Sequence, residues 1–138
     1  MLIARRPDVI CAREHVMGIE DFDIPEQLTG KARKAAEVIR SFILEELHER
    51  ASGGGCRLFR SPEEWKARGE KYGQESMLIL CYDGGDAGPF FDYDAAVNVF
   101  GFGRQAYDWI EEMNKRLGRI GLYAEPCTRW YGAVYVLP

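Results

Sequence analysis

Between residues 104 and 117 the chain alternates apolar and polar positions at helical spacing. Ala106, Trp109, Ile110, Met113 and Leu117 fall on one face, and Arg104, Asp108, Glu111, Glu112, Lys115 and Arg116 fall on the opposite face. Gly118 follows at the natural C-cap position. A second stripe, Ala35, Ile39, Phe42, Ile43 and Leu47 with Val38 at its edge, predicts a helix over residues 31–50. Thr29 or Gly30 can cap its start, and Glu46 and Arg50 are spaced for a surface ion pair. Ser61-Pro62-Glu63-Glu64 has the form of a helix start, with Ser as N-cap, Pro at the first helical position and Glu at the third. The short helix it opens runs to about Glu70 and carries Trp65.

Elsewhere the pattern is that of strands. Met77–Cys81 is continuously apolar, which predicts a central strand covered on both faces. Ile120–Ala124 and Trp130–Leu137 read as an antiparallel pair joined by residues 125–129. In the last strand Trp130, Gly132, Val134 and Val136 point one way, and Tyr131, Ala133, Tyr135 and Leu137 the other; both sets are mostly apolar, so the strand is expected to be internal. Cys56–Arg60 reads as a short strand, and the alternation of Val97 and Val99 favours an extended piece over residues 95–102. Residues 1–28 read as an arm packed on the core or as a partly ordered one, and Gly53-Gly54-Gly55 as a flexible loop at 51–55 inside one domain. The expected fold is α+β: a single domain over residues 1–138, with a mostly antiparallel sheet packed against two main helices at 31–50 and 104–117.

Composition narrows the function classes. A chain of 138 residues suffices for one core, and a net charge of −4 gives no bulk attraction to nucleic acid or anionic membrane. No apolar run reaches the ~20 residues of a membrane span, and the N-terminal residues lack the apolar segment of a signal peptide, so a cytoplasmic location is expected. Cys11, Cys56, Cys81 and Cys127 are scattered, without a disulfide framework or a zinc pattern, and reduced thiols, at least two of them buried, are expected.

The chemistry concentrates in one loop. Asp83, Asp86, Asp92 and Asp94 follow the central strand with Phe90, Phe91 and Tyr93 interleaved and no basic residue among them. Such a stretch reads as a solvated turn whose aspartates are turn formers and whose phenylalanines face the core. It also reads as a docking surface of aromatic anchors in an acidic rim, or as a set of hard oxygen ligands for a divalent cation, though its spacing is not that of an EF-hand. Cys127 beside Arg129 is a nucleophile candidate if His15 or His48 folds against it, and a structural cysteine otherwise. Gly101-Phe102-Gly103 and Gly53-Gly54-Gly55 lack the remainder of either phosphate-binding motif, and no cofactor is implied. Arg5, Arg6, Arg13, Lys31, Arg33 and Lys34 read as a solvated face.

Ser61-Pro62-Glu63-Glu64-Trp65, Tyr82-Asp83-Gly84-Gly85, the run Gly121–Thr128 and Trp130-Tyr131 together resemble small bacterial proteins carried on plasmids, phages and other mobile elements. The resemblance covers about half the chain and brings no assigned activity; it implies an accessory protein, of the kind that opposes host defence. The leading expectation is non-catalytic binding of a protein with a basic surface through Asp83, Asp86, Phe90, Phe91, Asp92, Tyr93 and Asp94. The alternatives are a small enzyme using Cys127 with a histidine, a divalent metal held by the Asp83–Asp94 loop, and self-association as a homo-oligomer.

Overall fold

In the computed structural model the described residues are 18–48, 51–95 and 104–138. His15, Cys11, Arg50 and the extended piece expected around Val97 and Val99 lie outside them. The elements run in order as a 3₁₀ turn (Gly18–Phe22), α1 (Gly30–Leu47), β1 (Phe59–Arg60), α2 (Pro62–Ala67), β2 (Leu78–Cys81), a 3₁₀ turn (Gly88–Phe90), the single helical turn α3 (Tyr93–Ala95), α4 (Arg104–Gly118), β3 (Leu122–Pro126) and β4 (Tyr131–Val136). The four strands form one antiparallel sheet in the order β1-β2-β4-β3, so the α+β architecture holds.

The period-2 pattern of β2 and β4 divides the core into two layers. Leu78, Leu80 and Val134 face α1 and α4, where they join Ile39, Phe42, Ile43, Trp109, Met113, Leu117 and Leu122. Ile79, Cys81, Tyr131 and Ala133 face the other way, under Trp65 of α2 and beside Cys56. Both inner strands are therefore buried on two faces, as their continuous apolar character requires. Trp65 is the keystone of the second layer: its ring meets Tyr131 edge-on at 5.3 Å, and the Arg68 guanidinium lies 4.7 Å from its centroid. The Ser61 hydroxyl accepts from the Glu64 amide at 3.1 Å and the Glu64 carboxylate accepts from the Ser61 amide at 3.2 Å, closing the capping box its sequence announces.

The β3 edge of the sheet is partly capped. In the β3–β4 ladder the odd-numbered residues of β3 bond β4, as Cys127 N–H to Tyr131 O and Leu137 N–H to Gly121 O mark its ends. The outward positions of β3 are then Leu122, Ala124 and Pro126; Pro126 has no N–H, and the Ala124 N–H donates to Oδ1 of Asn114 at 2.8 Å. At the other edge the Leu58 N–H donates to the Asp21 carbonyl at 2.9 Å.

Several local details differ from the sequence expectation. Thr29 occupies the N-cap position of α1 but makes no side-chain cap bond, and α1 ends at Leu47, with His48 at φ 56°. Glu46, whose expected partner Arg50 lies outside the described residues, accepts the Trp109 indole N–H at 2.9 Å, because Trp109 brings its polar edge to the seam between α1 and α4. α2 ends at Ala67, one turn short of Glu70. Gly118 remains helical, and the left-handed position is Gly121 (φ 77°), where the turn after α4 opens into β3. The glycine triplet is packed in place. A Cβ on Gly54 would lie 2.2 Å from the Gly84 carbonyl oxygen, so two backbones touch where only glycine fits. The Asp21 carboxylate accepts the Gly55 amide at 3.0 Å and fastens the loop from below.

Candidate functional site

The acidic-aromatic segment leaves β2 at Tyr82 and turns back on itself, with the Gly85 N–H bonding the Tyr82 carbonyl at 3.1 Å. Asp86 then pins it to the glycine loop: its carboxylate accepts the Ser52 amide at 3.0 Å while its own amide donates to the Ser52 carbonyl at 2.8 Å. Pro89 sits second in the following 3₁₀ turn (Gly88–Phe90), whose pitch sends consecutive rings in different directions. Phe90 is 0% exposed. It stacks on Trp109 with centroids 4.3 Å apart and an interplanar angle of 7°, and meets Phe42 edge-on at 5.5 Å. Phe91 is 4% exposed and stacks on Tyr82 at 5.9 Å.

These placements correct the expectation that Phe90 and Phe91 are surface anchors. The cleft between α1 and α4 accepts a flat ring against Trp109. Full burial of each phenylalanine is worth about 2–3 kcal/mol, which outweighs any preference for leaving it in water. The segment is a clamp from the loop into the core as far as Phe91. Beyond that residue it emerges: Asp92 is buried, and Tyr93 and Asp94 are exposed.

Tyr93 does not stand alone. It is 49% exposed, and its ring meets that of Tyr107, 57% exposed, edge-on at 5.9 Å. Tyr107 sits off the apolar stripe of α4, near its start, beside the exposed Asp108. One turn further Glu111 is exposed as well, and Asp108, Glu111, Glu112 and Lys115 line a shallow groove along the helix. An aromatic pair rimmed by Asp94, Asp108 and Glu111 is thus presented where α3 and α4 meet.

α4 is braced from behind. Arg116 donates to both carboxylate oxygens of Glu45 on α1 at 3.1 and 3.0 Å and to Glu112 at 2.7 Å, and its guanidinium lies 4.4 Å from the Phe42 centroid. The hydrogen bond to Arg116 holds the carboxyls of Glu45 and Glu112 below the ordinary range.

The four aspartates do not converge. Asp86 is spent on Ser52, Asp92 is buried, Asp94 is exposed, and one Asp83 oxygen is buried with no hydrogen-bond partner among the described residues. Among the described residues no group of three or more His, Cys, Asp or Glu side chains is arranged to hold a metal ion.

Cys127 lies half-buried in the turn after β3, 3.9 Å from the Tyr135 hydroxyl. Burial pushes its thiol up, against what a nucleophile needs. His48, exposed at the end of α1, makes no described contact with it. A different cysteine arrangement lies beneath: Cys56 and Cys81, each 1% exposed, have their sulfurs 2.9 Å apart.

Tyr107 and the Cys56–Cys81 pair are the features that the sequence analysis did not single out. Tyr107 had a signal, as an aromatic off the apolar stripe of an amphipathic helix. The cysteines, 25 residues apart, had none. No protein-family model matches the chain, and no curated protein or solved structure shows significant similarity to it.

Proposed function

We propose that this protein is a non-catalytic cytoplasmic binding protein whose docking face is the Tyr93–Tyr107 pair with Asp94, Asp108 and Glu111, and that its partner is a protein with a basic surface. The supporting observation is that two tyrosines remain about half exposed and touch ring to ring, while the phenylalanines of the same segment are fully enclosed. Tyrosine is the economical anchor for such a face: a large, rigid ring with a hydroxyl that stays satisfied in water or against a partner. The carboxylate rim would steer a basic partner and set its orientation more than its affinity. Together with the resemblance to mobile-element proteins, the reading extends to an accessory role in which a host protein is bound and restrained.

The test is photo-crosslinking from position 107 in the full chain, expressed in the bacterium that carries it, followed by affinity measurement with the captured protein. The expected result is one dominant partner whose affinity falls at least ~10-fold in both Tyr93→Ala and Asp94→Lys/Asp108→Lys, with steep salt dependence. A partner indifferent to both variants, or no partner crosslinked, would sink the proposal.

A further inference from the structure

We infer that Cys56 and Cys81 are a modification site, a dithiol that a hydroperoxide closes into an intramolecular disulfide fastening the glycine loop to the central strand. Cys81 is the last residue of β2, and Cys56 directly follows Gly53–Gly55. The Cys81 N–H donates to the Leu58 carbonyl at 2.7 Å, so the two chains are already paired beside the sulfurs. At 2.9 Å the sulfurs are in contact, and bonding requires an approach of less than an ångström, within the reach of side-chain rotation. Around them lie Trp65, Ile79, Tyr131 and Ala133, an apolar layer that holds the two side chains against each other.

The two thiols are not equivalent. The two sulfurs share a hydrogen bond at 2.9 Å in which either can be the donor, but only Cys81 also accepts a backbone N–H, that of Asp83, which favours its thiolate. Cys81 is therefore the sulfur that attacks. Its thiolate displaces hydroxide from the peroxide, forming an S–O bond as the O–O bond breaks, and a proton completes the first water. The Cys56 sulfur then attacks the sulfenic sulfur, the S–S bond forms, the S–O bond breaks, and the second water leaves with the Cys56 proton. Two electrons pass from the sulfur pair to one peroxide. Both sulfurs are buried, so the oxidant must be small and must enter by local opening; hydrogen peroxide satisfies this.

The experiment uses the full wild-type chain, reduced and then treated with hydrogen peroxide, quenched with catalase, alkylated in denaturant and mapped by mass spectrometry without reduction. The expected product has lost two hydrogens, yields a Cys56–Cys81 crosslinked peptide, leaves Cys127 alkylated, and reverts with dithiothreitol. Closing the ring of residues 56–81 should raise the melting temperature by about 10 °C. Recovery of Cys56 and Cys81 as alkylated thiols or as sulfinic acids, after treatment that oxidises Cys127, overturns the inference. So does a linked form that melts no higher than the reduced one.

Discussion

Replacing Phe90 by alanine separates a core clamp from a surface anchor. The ring is fully enclosed, with Trp109 stacked at 4.3 Å on one side and Phe42 edge-on at 5.5 Å. Removing a buried phenyl costs about 3–5 kcal/mol in transfer and cavity terms, and each aromatic pair adds about 0.5–1.5 kcal/mol beyond area. The cavity opens between α1 and α4, which are cross-braced by Arg116–Glu45 and Trp109–Glu46 and cannot easily collapse into it, so a loss of about 4 kcal/mol is expected. Against a total stability of about 5–15 kcal/mol this is a large share. With a urea slope of about 2 kcal/mol per molar, the unfolding midpoint should fall by about 2 M at unchanged slope. Tyr93→Ala, which removes a half-exposed ring and one edge contact, should cost less than about 1 kcal/mol and move the midpoint by under about 0.5 M. Equal effects from the two substitutions, or a larger one from Tyr93→Ala, would refute the division of this segment into a buried and a presented half.

Other outcomes follow from the same contacts. Asn114→Ala leaves the outward Ala124 amide without its acceptor and should cost about 1 kcal/mol, with edge-to-edge association appearing in light scattering; Asn114→Asp, which keeps an oxygen at the site, should restore the wild-type behaviour. The carboxyls of Glu45 and Glu112 lie below their ordinary values, so what Arg116 contributes is present above the ordinary carboxylate range and disappears as pH falls through their lowered folded-state values. The stability gap between wild type and Arg116→Met, measured by urea titration, should therefore be level near neutrality and close on the acid side of about pH 4; a gap that widened there would contradict it. Cys127, its thiol pushed up by burial, should react with iodoacetamide at pH 7 more slowly than a small free thiol, and a faster rate would reopen its candidacy as a nucleophile.

Long-period patterning made most of this fold legible. The stripes of α1 and α4 and the apolar runs of β2 and β4 each require a large buried face, and a face of that size leaves little choice of partner. The Ser61–Glu64 box was equally readable because its chemistry is entirely local. What escaped were decisions made by distant contacts. Nothing near Phe90 in the chain reveals that Phe42 and Trp109 leave a slot between them, and nothing near Glu46 reveals an indole N–H waiting across the seam. The aspartates misled for the same reason: whether Asp86 is a rim charge or a loop lock depends on Ser52, thirty-four residues earlier. Tyr107 was visible as an aromatic on a polar helix face, but its relation to Tyr93 needed the placement of α3 against α4 in space.

Of the three outward residues of β3, Pro126 has no amide to offer and the amide of Ala124 is already engaged by Asn114. A foreign strand laid alongside would find a broken run of donors, which disfavours extension of the sheet at this edge. The proposed docking face relies on rings and carboxylates instead, so binding there is expected to be sensitive to ionic strength and to single side chains. A scaffold of this kind can vary its partner by surface substitution alone while its framework stays fixed.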